Sequence, residues 1–415
     1  MKRKLDVYLR QHLVGNLVQD EHGQMTFDYA ETWLKNPKAI ALSHSLPLTK
    51  THFNRNECRG FFAGILPEES KREIVAHNLG ISAKNDYAML EKIGGECAGA
   101  VTFMPAGTEL PKSEHNYRAL TDKELAEILK ALPRRPLMAG DEGVRLSLAG
   151  AQDKIAVQVS GNQISIPLRG APSTHILKPA LGSFEGVVAN EALCMKLARA
   201  VGMNAAEAEA RNVEGIDYLL VERYDRTMSS DTPNTLKTLK REHQEDFCQA
   251  LGIIPENKYQ AEGGPSLKQC FALAREASSA PVIDLQALLD AVIFNFLIGN
   301  HDAHGKNFSF LYSGGQTRLA PLYDLLSTSY YPELSPKMAM KIGGEYLSAS
   351  ITAKHFEQLA EEAGLAKPIV RRRVPELAEL ILSTMPAVTT NHPVVLAVAK
   401  LIRGNCDRTI QKFKM

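Results

Sequence analysis

Leu5, Val7 and Leu9 alternate with polar and charged neighbours at the start of the chain, the period-two pattern of a strand with one buried face. Turn signals such as Asp20-Glu-His-Gly23 break residues 1 to about 30 into several short strands. The segment FFAGILPEESKREIVAHNLG at 61–80 changes to a helical pattern, and Gly80 suits its end because glycine accepts the left-handed conformation of a helix C-terminus. Residues 1–110 therefore read as a small mixed domain. Thr121-Asp-Lys-Glu124 is a capping box before an apolar run, and Pro133-Arg-Arg-Pro136 behind it cannot continue a helix, so a boundary falls between 110 and 140.

From Val144 to Arg223 the period is that of strands: VRLSL, KIAVQV, a turn at Ser160-Gly-Asn162, QISIPL, THILKP, then EARNV and YLLVERY around the turn EGID. Between two of these lies NEALCMKLARAVG at 190–202, with helical spacing and Gly202 as its stop. One helix inserted into a five-stranded, mostly antiparallel sheet is the plan of a kinase N-lobe. Beyond Arg226 helical patterns dominate, in DLQALLDAVIFNFLIGN and around 355–365 and 371–383. They are broken once, at FSFLYSGGQTRLAPLYD, which reads as a hairpin turning at Ser313-Gly-Gly315. The division is 1–110, 111–225 and 226–415, without internal repeats or low-complexity segments.

Composition narrows the class. At 415 residues the chain exceeds one ordinary core, and 44% hydrophobic with 23% charged residues excludes a disordered or fibrous habit. Lys and Arg number 48 against 47 Asp and Glu, so a net charge of +1 gives no global footprint for nucleic acid or an anionic membrane; DNA contact would be local or carried by a partner. The basic start is interrupted by Asp6, Arg10 and Gln11 and lacks a signal peptide's apolar core. No stretch reaches the roughly 18 uncharged apolar residues of a spanning helix. Six scattered cysteines without a C-x-x-C pair argue against a zinc knuckle or disulfide framework and for a reducing cytoplasm.

The strongest chemical signal is Asn300-His-Asp-Ala-His-Gly-Lys-Asn307, because Asp-x4-Asn is the spacing of a kinase catalytic loop. There the Asp reaches the acceptor hydroxyl while the Asn, from the same loop, holds a magnesium ion on the phosphates: Asp302 as base, Asn307 as metal ligand. A neutral amide cannot offset a triphosphate's charge, and Asp324 in Pro321-Leu-Tyr-Asp-Leu325 supplies a second carboxylate where kinases carry D-F-G; the hairpin would return it beside Asn307. Lys178, ending the apolar strand of Thr174-His-Ile-Leu-Lys-Pro179, is placed like the lysine that orients α- and β-phosphates. Glu191 is either its ion-pair partner or a solvated glutamate near a helix start. Ser147-Leu-Ala-Gly-Ala-Gln-Asp-Lys154 offers small residues whose amides can approach phosphate, or is a bare β-turn. His301 and His304 with Asp302 are alternatively metal ligands, though a third histidine or cysteine is missing.

These segments resemble the HipA family, the kinase toxins of bacterial toxin–antitoxin pairs implicated in growth arrest and drug tolerance. The resemblance covers nearly the whole chain, in FFAGILPE, SLAGAQDK, THILKP, NEALCMKLA, VERYDR, HQEDFCQALG, AEGGPSL, HDAHGKNFS and PLYDLL. It implies an α+β, protein-kinase-like fold, with a β-rich N-terminal part bearing a small accessory domain and a mostly α-helical C-lobe. It implies ATP and Mg2+ as cofactors, Asp302 as base, and Asn307 and Asp324 as metal ligands. Further nucleotide contacts would come from Ala149, Gly150, Ala151, Gln152, Lys154, Lys178, His304 and Lys306, and from Glu222, Arg223 and Tyr224, the last three through their backbone beside adenine. Ser147 matches the serine that HipA kinases autophosphorylate, with loss of activity; Ser173 and Ser183 are neighbouring acceptors. The family's partner is HipB, a helix-turn-helix antitoxin that brings the toxin to operator DNA, and its best-known target is an aminoacyl-tRNA synthetase, the glutamyl enzyme. Two other classes compete. An antibiotic-type small-molecule phosphotransferase shares the Asp-x4-Asn loop but usually reads H-G-D where this chain has N-H-D. A catalytically silent co-repressor would not require the four filled positions.

Overall fold

The structure is a computed structural model that describes residues 2–110, 116–180, 184–229 and 238–414. About 41% of it is helix and 24% strand, the α+β class expected. Two compact units are present: one comprises Met1–Leu181, Arg211–Glu256 and Leu311–Ser313, the other Gly182–Ala210, Asn257–Phe310 and Gly314–Met415.

The first unit begins with an antiparallel sheet of five strands in the order His52–Phe53, Met25–Tyr29, His12–Gln19, Arg3–Leu9, Val101–Pro105. Leu5, Val7 and Leu9 all face its core, as the alternation requires. The segment at 61–80 is two helices, not one: Arg55–Gly64 and Glu69–Leu79. Pro67 lacks an amide hydrogen and disfavours helical angles at the residue before it, which accounts for a break between Gly64 and Glu69. Gly80 does end the second helix, at φ 64°. Thr121 and Glu124 form the expected reciprocal cap, opening helix Asp122–Ala131.

The second sheet of this unit has six strands, in the order Ala208–Val213, Ile216–Glu222, His175–Pro179, Ile155–Ser160, Gln163–Pro167, Tyr117–Ala119. The last is an edge strand that the sequence pattern did not reveal. VRLSL at 144–148 is not a strand of it. That stretch is extended, but its backbone partners are loop segments, with isolated bridges Glu96↔Leu146 and Pro67↔Gly150. Alternation there reports one buried face, which a lone extended segment satisfies as well as a ladder member does.

A buried charge network fixes the segment after strand Ile216–Glu222. Glu96 Oε1 accepts from Arg226 at 2.8 Å, from Arg223 at 3.1 Å, and from the Ser173 amide and hydroxyl at 3.0 and 2.8 Å. Its other oxygen pairs with Arg241. Asp225 accepts two bonds from Arg223, at 3.0 and 2.8 Å, and one from the Gly99 amide at 2.7 Å. Burial by itself would raise the Glu96 carboxyl; Arg226, Arg241 and Arg223 outweigh it and hold the group at about 2.

The second unit is mainly helical. Helix Val187–Ala200 packs against Lys367–Val388 and Pro393–Lys414, and Asn190 exchanges hydrogen bonds with the Ser327 backbone at 2.9 and 3.0 Å. Leu267–Ala277, Pro281–Ile298 and Ala353–Ala363 complete the set used below. Pro281–Ile298 is long and apolar enough to cross a membrane by length and composition, but Asp284 and Asp290 interrupt it, so it is not an uncharged run, and most of it is buried within the protein.

Candidate active site

In the helical unit the site is built where helix Pro281–Ile298 stops. Gly299 ends it at φ 72°, and a Cβ there would collide with the Ser329 hydroxyl, so glycine is required on both counts. The chain turns at once into the loop: the Asn300 amide donates to the Asn295 carbonyl at 2.9 Å, and its side-chain nitrogen donates to Asn295 Oδ1 at 2.8 Å. Asn300 Oδ1 in turn accepts the Asp302 amide at 3.2 Å. The first asparagine of the motif is thus a buried anchor. His301 points elsewhere, its Nε2 lying 2.9 Å from the Ser348 hydroxyl, and burial lowers its pKa below the usual value.

Gly305–Asn307 is a single 3-10 turn in which Asn307 Oδ1 accepts the His304 amide at 3.0 Å. The hairpin of Ser309–Ser313 and Gln316–Leu319 forms as expected, closed by an Ala320 amide to Ser309 carbonyl bond of 2.8 Å. It returns Asp324 to the loop: Asn307 Nδ2 donates to Asp324 Oδ2 at 3.1 Å. Tyr323 secures the return by donating to the Lys306 carbonyl at 2.6 Å, with its hydroxyl also 2.6 Å from Ser309 Oγ. Asp324 has φ 60°, a left-handed conformation that costs most side chains energy and that aspartate tolerates better than most. Asp302 is exposed, whereas His304 and Lys306 are buried.

Tyr259 escaped the sequence reading. Its hydroxyl donates to Asp302 Oδ1 at 2.8 Å, and its ring meets His304 edge to face, centroids 5.4 Å apart. The signal for it was the glycine pair of AEGGPSL, which marks a tight loop, but nothing local told which neighbour of that loop would touch the aspartate.

In the β-rich unit Ser147 is fully buried: its hydroxyl donates to the Ile65 carbonyl at 3.0 Å and its amide to the Glu96 carbonyl at 2.9 Å. FFAGILPE therefore supplies the seat of the 147–154 segment. Ala149, Gly150, Ala151 and Gln152 are half-buried, with Gly150 at φ 102°. Lys154 Nζ donates to the Ala149 carbonyl at 2.8 Å, and Asp153 pairs with Lys71 at 2.7 Å. Lys178 lies on strand His175–Pro179 opposite Leu219 and is largely buried. Glu222 is exposed, and Tyr224 donates to Gln244. Arg223 turns inward to Glu96 and Asp225, and its amide is taken by the Thr174 carbonyl at 2.9 Å. Glu191, in the helical unit, is 2% exposed, which removes the reading of it as a solvated helix-start charge.

The metal ligands this pair could offer are the Asn307 amide oxygen and the Asp324 carboxylate, the choice of a hard divalent cation, although here Asn307 Oδ1 accepts the His304 amide and its Nδ2 faces Asp324. Among the described residues no group of three or more His, Cys, Asp or Glu could hold a metal. A cation at this pair would therefore complete its shell with water and phosphate oxygens, the habit of magnesium in nucleotide sites.

An antiparallel β-rich unit and a helical unit, the latter bearing an Asp-x4-Asn loop closed by a returning carboxylate, define the class as a kinase-type enzyme. The model of the HipA N-terminal domain matches residues 5–104 and that of the HipA-like C-terminal domain residues 146–385; the chain belongs to the HipA family. It is 47% identical over 390 residues to a protein of Sinorhizobium fredii named as a kinase, covering 93% of this chain and 91% of the relative. It is 30% identical to the serine/threonine-protein kinase toxin HipA of Shewanella oneidensis, covering 97% and 95%. The HipA chain in the solved complex of HipA, HipB and operator DNA from Shewanella oneidensis matches with a TM-score of 0.85 and 28% identity, over 99% of this chain and 98% of that one.

Proposed function

We propose that the chain transfers the γ-phosphoryl group of ATP, with Mg2+, to a serine or threonine hydroxyl of a cellular protein in the bacterial cytoplasm. The single observation that carries this reading is the Asn307–Asp324 contact at 3.1 Å in a loop that also presents Asp302. Asp302 would orient the acceptor hydroxyl and take its proton; Asn307 and Asp324 would hold the metal that neutralises charge on the phosphates. Lys178 and the 147–154 segment of the β-rich unit would position the phosphates, and the backbone around Glu222–Tyr224 would meet adenine, with Arg223 acting through its neighbours. In this division residues 1–110 serve as accessory domain, 111–225 as nucleotide-binding part and 226–415 as catalytic part. Transfer from γ-labelled ATP to protein serine, compared with transfer to aminoglycosides, tests the reading against a small-molecule phosphotransferase. Absence of any magnesium-dependent turnover would leave only a co-repressor role.

A relative named as a kinase toxin supports a toxic outcome, and the solved complex of HipA with HipB supports a HipB-like partner. Growth arrest, an aminoacyl-tRNA synthetase as the first target to examine and the helix-turn-helix character of the partner are what the family resemblance implies. With a net charge of +1 the chain has little affinity of its own for DNA. It is expected to co-purify with such a partner, and alone to bind operator DNA weakly and in a strongly salt-dependent way; tight, sequence-specific binding by the isolated chain contradicts this.

Ser147 is the proposed autophosphorylation site. Its hydroxyl is committed to the Ile65 carbonyl in a fully buried position, where a phosphate carrying about −1.5 to −2 charges finds an acceptor and no room. Phosphorylation and the observed loop position therefore exclude each other, and the modified loop must leave its seat. Incubation with ATP and magnesium is expected to phosphorylate Ser147 and weaken ATP binding, and Ser147→Ala to remove the mark. Ser173 is as buried as Ser147 and donates its hydroxyl to Glu96 at 2.8 Å, so burial does not separate the two and the choice of Ser147 rests on the family resemblance; Ser183 lies outside the described residues. Mass spectrometry showing phosphate only at other sites, or unchanged ATP affinity of the Ser147-modified form, refutes the assignment.

A further inference from the structure

Asp302 sits on an exposed loop, and an exposed carboxylate rotates unless something holds it. A base that must meet one hydroxyl in line with a phosphate needs its orientation set beforehand, because small misplacements cost large factors in rate. Tyr259 is one of the groups that hold it, its hydroxyl donating to Asp302 Oδ1 at 2.8 Å.

The loop that carries Tyr259 is itself built to be rigid. The Tyr259 carbonyl accepts two amides, from Glu262 at 2.9 Å and Gly264 at 2.8 Å. A side chain at Gly264 would run into the backbone of Asn257 and Lys258, so the chain closes this tightly only with glycine there. Gln260 Oε1 accepts the Lys341 amide at 2.8 Å, and the neighbouring Ala339 amide donates to the His301 carbonyl at 2.7 Å. Strand Lys337–Ile342 thus fastens both the tyrosine's loop and the catalytic loop, and fixes the phenol relative to the aspartate. His304 supports one side of the ring, and the Lys258 ammonium lies 5.5 Å from its centroid.

We propose that Tyr259 is a positioning residue for phosphoryl transfer, holding Asp302 by Oδ1 so that Oδ2 is presented to the acceptor hydroxyl. The inference rests on the reading of Asp302 as base. In the step it serves, the acceptor's proton passes to Oδ2 as its oxygen bonds to the γ-phosphorus, and the bond from that phosphorus to the β–γ bridging oxygen breaks, releasing ADP. Tyr259 takes no proton and touches neither nucleotide nor acceptor. Its loss should lower turnover and leave nucleotide binding alone.

The test compares full-length wild type, Asp302→Ala and Tyr259→Phe on a degenerate serine peptide library with γ-labelled ATP and magnesium. Phenylalanine keeps the ring against His304 and removes only the donor. The expected result is a fall in kcat of roughly tenfold in Tyr259→Phe, as for loss of one charge-assisted hydrogen bond, with KM for ATP and the melting midpoint unchanged. Wild-type kcat in Tyr259→Phe, with Asp302→Ala inactive, overturns this inference and leaves the kinase reading standing. A raised KM for ATP or a lowered melting midpoint at equal loss makes Tyr259 merely structural and also overturns it. No transfer by wild type, or full transfer by Asp302→Ala, defeats the kinase reading and this inference together.

Discussion

Asp302→Ala should lower kcat for phosphoryl transfer by about 10²–10⁴, the range for removing a general base, with little change in KM for ATP. Asp302 is exposed, so stability should stay within about 0.5 kcal/mol of wild type. Asp324 behaves differently on both counts. Its side chain pairs with Asn307, and its backbone is left-handed at φ 60°, where alanine would add a cost of about 1–2 kcal/mol. Asp324→Asn is the cleaner variant, because asparagine tolerates that conformation while removing the charge. It should raise the magnesium and ATP concentrations needed for half-maximal rate, besides lowering kcat. Steady-state kinetics with titrated magnesium, read beside thermal melts, separates the two roles. Wild-type transfer by either variant would falsify the assignment of the loop.

The largest expected loss of stability comes from Glu96→Ala. Glu96 is fully buried and answers three guanidinium groups, so its removal leaves Arg223, Arg226 and Arg241 short of countercharge. Breaking a buried ion pair from one side costs roughly 3–5 kcal/mol, and a urea titration should show the midpoint fall accordingly. The pH dependence follows from the same arrangement. The Glu96 carboxyl is held at about 2 in the fold against an ordinary 4.5, so its contribution is complete above the ordinary value and is lost as the pH falls from about 4.5 towards 2. Glu96→Gln, which keeps the shape but not the charge, should flatten stability across that window. A variant as acid-sensitive as wild type there would show the stabilisation to lie elsewhere.

The sequence made legible whatever short stretches decide. The alternation of Leu5, Val7 and Leu9, the Thr121–Glu124 cap, the Gly80 stop and the hairpin at Ser313-Gly-Gly315 each depend on a few adjacent residues, and each is found in place. So does the Asp-x4-Asn spacing, which puts two side chains on one loop. The family and the α+β class followed from several such segments in order.

What it could not decide were contacts between residues far apart in the chain. VRLSL has the pattern of a strand, yet its partners are the segments around Glu96 and Pro67, and no local period records which edge a strand will meet. FFAGILPE was read as a helix in a separate small domain, whereas its Ile65 carbonyl holds Ser147. The family resemblance offers Arg223 only as a proposed neighbour of adenine, and no local pattern tells that its guanidinium is buried against Glu96, more than a hundred residues earlier in the chain.

By itself, then, the sequence determined the elements, their caps and turns, the family and the candidate chemical groups, because propensity, alternation and motif spacing act over a few residues. The hairpin already placed Asp324 beside Asn307; only the tertiary structure decided that Tyr259 holds Asp302 and that Glu96 gathers three arginines. Those pairings join side chains from distant parts of the chain, and their energies exist only once hydrophobic burial has brought the segments together and excluded the water that would otherwise solvate each charge.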